Sequence, residues 1–278
     1  MTTTTTNRPV GVDELRRAWH ALQEGQFRGR RQPIPQRRAA AASQPDRDWE
    51  PVETILPVVG CVGQCGASAL ALALATAAGG ARVIECCTAT ASGLASAATA
   101  ELGRSPNGWT LGRRGRVSIA RTTGVQLGAD ELPTPDEPAT TPALTVLDVG
   151  WELGHALATP GWLRDQLRHA ETVIAATTAT IPGLRRLETA LSLLGPGRTV
   201  VAVLGPARRR WPRHLSAALG PQATAADQAG LLIAVAADKH LATRGLDSSA
   251  LPASLLHAAE NLLRHTGAGG PDQKGQPT

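Results

Sequence analysis

The stretch from Ile55 to Gly80, ILPVVGCVGQCGASALALALATAAGG, constrains the fold more than any other part of this chain. The apolar run Ile55–Val59 reads as a buried strand. It breaks into a glycine-punctuated turn, Gly60-Cys-Val-Gly63-Gln-Cys-Gly66, and continues as an alanine- and leucine-rich helix opened by Ser68. A strand, a glycine loop and a helix in that order have the layout of a phosphate-binding loop. The glycines let the backbone curl, and the helix N-terminus offers unpaired N–H groups to an anion. The P-loop pattern places a lysine directly after its last glycine, to reach the β- and γ-phosphates, and then a Ser or Thr for Mg²⁺. Here Ala67 stands at the lysine position and Ser68 at the Ser/Thr position. The spacing fits a phosphate site that has lost its cation, and it equally fits a turn whose small residues allow close packing.

No local shift of the alignment supplies the missing lysine. The 278 residues include two lysines, Lys239 and Lys274, both far downstream; every other basic side chain among the 28 is arginine. The arginines cluster at Arg28–Arg38, Arg113–Arg116 and Arg208–Arg213, and the net charge of +5 is compatible with nucleic acid or an anionic membrane surface. Apolar residues make up 42% of the chain but aromatics only 3%, with one Phe and no Tyr. The core must therefore be built from Ala, Leu and Val, which suits a helix-covered parallel sheet.

The N-terminus, MTTTTTNRP, has no apolar core of the kind a signal peptide carries. The longest apolar run, Ala67 to Ala78, is shorter than the roughly 20 residues that span a bilayer. A cytoplasmic protein without a transmembrane segment is the expectation. Four cysteines occur, at 61, 65, 86 and 87. A Zn or Fe–S site is disfavoured because neighbours on a strand, such as Cys86 and Cys87, point to opposite faces. Small buried residues in a reducing compartment is the better reading.

Along the chain, residues 1–50 form an N-terminal arm. An amphipathic helix is expected over 12–27, with Leu15, Trp19 and Leu22 on one face. An Arg/Pro-rich linker follows over 28–50, where Arg28, Arg30, Arg31, Arg37 and Arg38 are candidates for contact with DNA phosphates or an acidic partner. Residues 51–267 read as one domain, and the Gly/Pro/Gln-rich tail 268–278 as disordered. Within the domain, strands are expected at Arg82–Cys87, Leu144–Val149, Thr172–Ala176, Thr199–Leu204 and Leu231–Val235. Helices are expected at Ser92–Leu102 (capped by Ser92), Trp162–His169, Ile181–Leu194, around Pro212–Leu219 and at Leu251–His265. Gly108–Thr122 looks like a hairpin and Gly124–Pro142 like a loop. This alternation argues for an α/β, doubly wound, mostly parallel sheet of the three-layer α/β/α kind. Asp148 closes one of its strands, where such folds place a Mg²⁺-organising carboxylate. The seven histidines show no ligand spacing, and Trp211, inside the run RRRWPR, anchors a loop to the core or contacts nucleic acid.

With these pieces placed, most of residues 52–267 resembles the ParA/MinD class of deviant-Walker P-loop ATPases. The likeness is carried by VVGCVGQCGASALALALA, by TVLDVG and by AVAADKHLATRGLDSSALPASLLHAAENLL. The first resembles in particular the degenerate branch that has lost the lysine, as in CpaE/TadZ-like pilus-positioning proteins. The resemblance implies that ATP or ADP with Mg²⁺, if held at all, would lie on Gly63, Gln64, Cys65, Gly66, Ala67, Ser68, Ala69 and Asp148, with Ser68 and Asp148 toward the metal. A form without nucleotide is implied just as readily. Val62 stands where the class has its signature lysine, and Glu85-Cys86-Cys87 where the second strand ends in an aspartate that orders water. Without both lysines, efficient hydrolysis is not expected, since phosphoryl transfer depends on charge neutralisation.

Three functions follow from this reading. The first is a ParA/MinD-like positioning, partition or adaptor factor, for plasmid partition, conjugative transfer or a secretion or pilus machine. It would form a homodimer and contact DNA, an acidic partner or a machine protein. The second is an active ATPase whose cation comes in trans from arginine, Arg113–Arg116 or a partner subunit. The third, a dinucleotide-binding enzyme, suffers from a loop that is not G-x-G-x-x-G and from an acid, Glu85, within rather than at the end of its strand.

Overall fold

The computed structural model describes residues 49–267, positions 123 and 139 excepted. The expected helix 12–27, the arginines at 28, 30, 31, 37 and 38 and the tail 268–278 lie outside the described residues. The strands are β1 (Thr54–Gly60), β2 (Arg82–Cys86), β3 (Ala100–Arg104), β4 (Trp109–Arg114), β5 (Val117–Thr122), β6 (Leu144–Val149), β7 (Val173–Thr178), β8 (Thr199–Leu204) and β9 (Leu232–Val235). They form one sheet in the order β3-β4-β5-β2-β6-β1-β7-β8-β9. From β5 to β9 every pairing is parallel, while β4 pairs antiparallel with both β5 and β3 at one edge.

The helices are α1 (Ala67–Ala77), α2 (Leu153–Ala158), α3 (Trp162–His169), α4 (Ile181–Leu194), α5 (Arg213–Ser216), α6 (Pro221–Gln228), α7 (Lys239–Arg244) and α8 (Ala253–Leu263). Side chains alternate along each strand, so the sheet feeds two cores. Leu56 and Val58 of β1 join Leu70–Ala75 of α1 and Leu255, Ala259 and Leu262 of α8 on one face. Val59, Leu147 and Val149 join Leu163 and Leu167 of α3 and Leu184, Leu187 and Leu191 of α4 on the other. This is the expected three-layer α/β/α arrangement. It also explains why α1 is apolar on nearly every side: Leu70–Ala75 are all buried, between the sheet and α8.

The expected strands Leu144–Val149 and Thr199–Leu204 and helices Trp162–His169 and Ile181–Leu194 fall where the sequence puts them, and Gly108–Thr122 is the hairpin β4–β5. The helix expected over Ser92–Leu102 does not form. A short 3₁₀ turn covers Ala89–Ala91, and Ala100–Leu102 belongs to the edge strand β3. Ser92 is extended, and its hydroxyl and the next two amides go to Glu85 instead of opening a helix. The helices α2, α6 and α7 were not expected. In α6 the buried residues are only Ala223 and Ala226, too small to give a periodic signal, and two of its first amides are taken by Glu188 from α4.

The C-terminal ends of β2 and β6 meet where the residues must be small. A Cβ added at Gly150 would lie 2.4 Å from the Cβ of Cys87. We therefore expect Gly150→Ala to lower stability in urea unfolding by ~1–3 kcal/mol. Adding Cys87→Ala should not restore it, because the atom that is met is the Cβ itself.

Candidate functional site

The strand order reverses at β1, which has β6 on one side and β7 on the other. In an open parallel sheet that reversal leaves a crevice at the carboxyl ends of the strands. A cavity of about 1080 Å³ opens there. It is lined by the glycine loop Gly60–Gly66, by Asp148–Leu153 after β6, by Arg186, Thr189 and Leu193 of α4, and by Ala236–Asp238 after β9.

The loop keeps the backbone of a phosphate cradle. Gly66 (φ 78°) caps α1 in the left-handed region, and Gln64 (φ 58°) is the one non-glycine residue with positive φ among the described residues. Gly63 has open space where a Cβ would be. What the loop does with its donors differs. The Cys65 side chain folds back under the loop, so that a Cβ at Gly60 would lie 3.2 Å from its sulfur. The N–H groups of Val62 and Ala67, and that of Cys65 itself, face this sulfur. Burial nevertheless dominates and pushes the Cys65 thiol up.

Ser68 and Asp148, assigned to the metal by resemblance, are brought together. Asp148 is buried at the end of β6, and the Ser68 hydroxyl donates to it. Desolvation pushes the Asp148 carboxyl up to about 7; the Ser68 bond works against this, and the charge of nearby Glu85 adds to it. Ser68 is half-buried and lines the cavity, and Gly93 lies close to it: a Cβ there would lie 2.6 Å from Ser68 Oγ. Ala67 and Ala69 line the cavity and carry no charge.

Sequence reasoning missed the role of Glu85. It lies in register with Asp148 across the β2–β6 pairing and is 2% exposed. Its Oε1 accepts from the N–H groups of Gly93 and Leu94, both at 2.8 Å, and both its oxygens lie 3.0 Å from Ser92 Oγ. The signal in the sequence was an acid among the apolar residues Val83, Ile84 and Cys86 of a buried strand.

The arginines weighed as substitutes for the lysine do not reach the site. Arg114 donates to the carbonyls of Ala97 and Asp247, at 2.9 and 2.6 Å, and to that of Ser249. None of Arg113–Arg116 lines the cavity. Among the described residues that do, Arg186 is the one lysine or arginine, and three carboxyl groups, Asp148, Glu152 and Asp238, share the lining with it. Trp211 is a loop anchor: its indole donates to Pro206 at 2.9 Å, and the Arg208 guanidinium lies 4.7 Å above its ring.

These residues do not fit a magnesium triphosphate. The side chains at 62 and 67 are uncharged, and the cavity carries more carboxylates than cations. The Cys65 sulfur sits beneath the loop near Gly60, and Gly93 crowds Ser68. Mg²⁺ needs near-octahedral oxygen ligation at about 2.0–2.1 Å, with several waters kept. No cluster of three or more His, Cys, Asp or Glu suited to a metal occurs among the described residues. All four thiols are free, and burial raises each, Cys61 to about 12, so none is a ready thiolate.

No family model matches the chain, and no curated protein does. Among solved structures it is similar to the cell division ATPase MinD of Pyrococcus furiosus, at 12% identity and TM-score 0.47, covering 76% of this chain and 99% of that one. It is also similar to a putative plasmid partition protein of Borrelia burgdorferi B31 bound to AMPPNP, at 12% identity and TM-score 0.45, covering 76% and 97%. No described helix is long and apolar enough to cross a membrane.

Two outcomes follow. Folded Asp148 holds its proton to about pH 7 whereas the unfolded carboxyl releases it near 3.8, so this residue costs stability as pH rises between those values. Asp148→Asn should match the wild type in urea unfolding below pH 4 and exceed it by on the order of 2–4 kcal/mol at pH 8. The four thiols should stay unreactive toward a chromogenic disulfide reagent at pH 8 until the protein unfolds, then react fully.

Proposed function

We propose that this chain is a degenerate ParA/MinD-like protein that works as a positioning, partition or adaptor factor without hydrolysing ATP. The observation that carries the reading is the charge of the cavity. Where a P-loop meets its polyanion with lysine and Mg²⁺, this one offers Val62 and Ala67, and its walls hold Glu152 and Asp238, besides an Asp148 that keeps its proton to about pH 7, for one arginine, Arg186. The doubly wound sheet and the glycine loop support the kinship, since the loop keeps its backbone while its charged side chains are gone.

In this reading the fold supplies a rigid body and a dimerisation face. The arginines at 28, 30, 31, 37 and 38 supply contact with DNA or an acidic partner. The biological setting is plasmid partition, conjugative transfer or a secretion or pilus machine. Arginine supplied from a partner subunit, the other way to rebuild an ATPase, would have to overcome the carboxylates already lining the cavity.

Calorimetric titration of the full-length protein with Mg²⁺-ATP and Mg²⁺-ADP tests this, with Ser68→Arg as the blocked-loop control. The expected result is no saturable heat at millimolar nucleotide and no shift in melting temperature, because a ligand stabilises only in proportion to its binding. Saturable micromolar binding that Ser68→Arg abolishes would overturn the proposal.

A further inference from the structure

The segment between β2 and β3 does something that the loss of the lysines does not require. Glu85 points from the middle of a strand buried along its whole length, where an unpaired carboxylate would be costly. Its partners all come from Ser92–Leu94: the Ser92 hydroxyl and the amides of Gly93 and Leu94. Leu94 is fully buried in the core beneath α1, a second anchor for the same stretch. Between these anchors Gly93 lies on Ser68, so close that a Cβ would come within 2.6 Å of Oγ and 2.7 Å of Cβ.

We infer that Glu85 is a positioning residue that holds Ser92–Leu94 against Ser68 and so crowds Mg²⁺ out of the corner where a P-loop's Ser/Thr would take it. The inference rests on the nucleotide-independent reading and goes beyond it: the corner stays crowded even when the lysines are put back. Segments that respond to nucleotide in P-loop switches are held by the γ-phosphate and Mg²⁺ and released when these go. This segment is held by the protein's own carboxylate. The chain thereby keeps one state, the property wanted of an adaptor and not of a switch.

The test grafts the lysines and then releases the clamp, with ATP as the probe. Full-length Val62→Lys/Ala67→Lys should bind ATP with affinities that agree within about twofold in Mg²⁺ and in EDTA. Adding Glu85→Ala should raise the affinity at least about tenfold in Mg²⁺ only. Adding Glu85→Gln, whose carbonyl can still accept the two amides, should leave the grafted protein unchanged. A double-lysine protein that already shows tenfold Mg²⁺ enhancement, lost with Ser68→Ala, would overturn the clamp, as would a Glu85→Ala addition without effect. Nucleotide binding by the wild type would instead overturn the function proposed above.

Amide exchange gives a check that needs no ligand. The Gly93 and Leu94 amides should be protected in the wild type and in Glu85→Gln. In Glu85→Ala they should exchange at least about a hundredfold faster while the strands keep their protection. Fast exchange of both amides in the wild type would refute the clamp.

Discussion

Two buried carboxylates on neighbouring strands set the terms for everything around the glycine loop. Glu85 and Asp148 lie opposite each other in the β2–β6 pairing, each 2% exposed. A carboxylate taken out of water must find donors or keep its proton. The pair does both. Glu85 collects three donors from the stretch that follows its strand, and Asp148 takes one from Ser68 and keeps its proton to about pH 7. The path of residues 88–94, the commitment of the Ser68 hydroxyl and the need for glycine at 93 all follow from meeting those two demands.

The fold around this pair is a doubly wound sheet with a glycine loop at the carboxyl ends of its strands, and the loop carries no charged side chain. A glycine loop at the carboxyl ends of parallel strands offers backbone N–H groups, which suffice to orient an anion but not to neutralise a triphosphate. Val62 and Ala67 stand in place of cations, the Cys65 sulfur lies near Gly60 beneath the loop, and apolar side chains such as Leu193 and Leu204 complete the wall. The same backbone joins β1 to α1, whose burial against α8 and the sheet has nothing to do with phosphate.

Much of the fold was legible in the sequence because apolar runs bounded by glycine and proline leave few options. β6, β8, α3 and α4 came out with the bounds expected of them. The candidate loop and Asp148 were legible from spacing, and their meeting in one cavity follows from the parallel order of the strands. The stretch 92–102 was misread for a physical reason. Ser92, followed by Gly, Leu and alanines, looks like a capped helix, but the partner that wins its hydroxyl is Glu85, seven residues upstream and buried. Such competition from a tertiary partner leaves no local mark. Helices α6 and α7 were silent because small or mostly exposed side chains give no periodic signal, and Arg113–Arg116 could be denied a role only once Arg114 was seen tied to carbonyls away from the loop.

A crystal structure of the full-length protein grown with Mg²⁺ and AMPPNP at millimolar concentration tests the central claim most directly. The account predicts a glycine loop without a triphosphate, the Cys65 sulfur beneath it, and Gly93 against Ser68 with Glu85 on the amides of residues 93 and 94. A triphosphate seated on the loop, with Mg²⁺ on Ser68 and residues 88–94 withdrawn from it, would contradict the account.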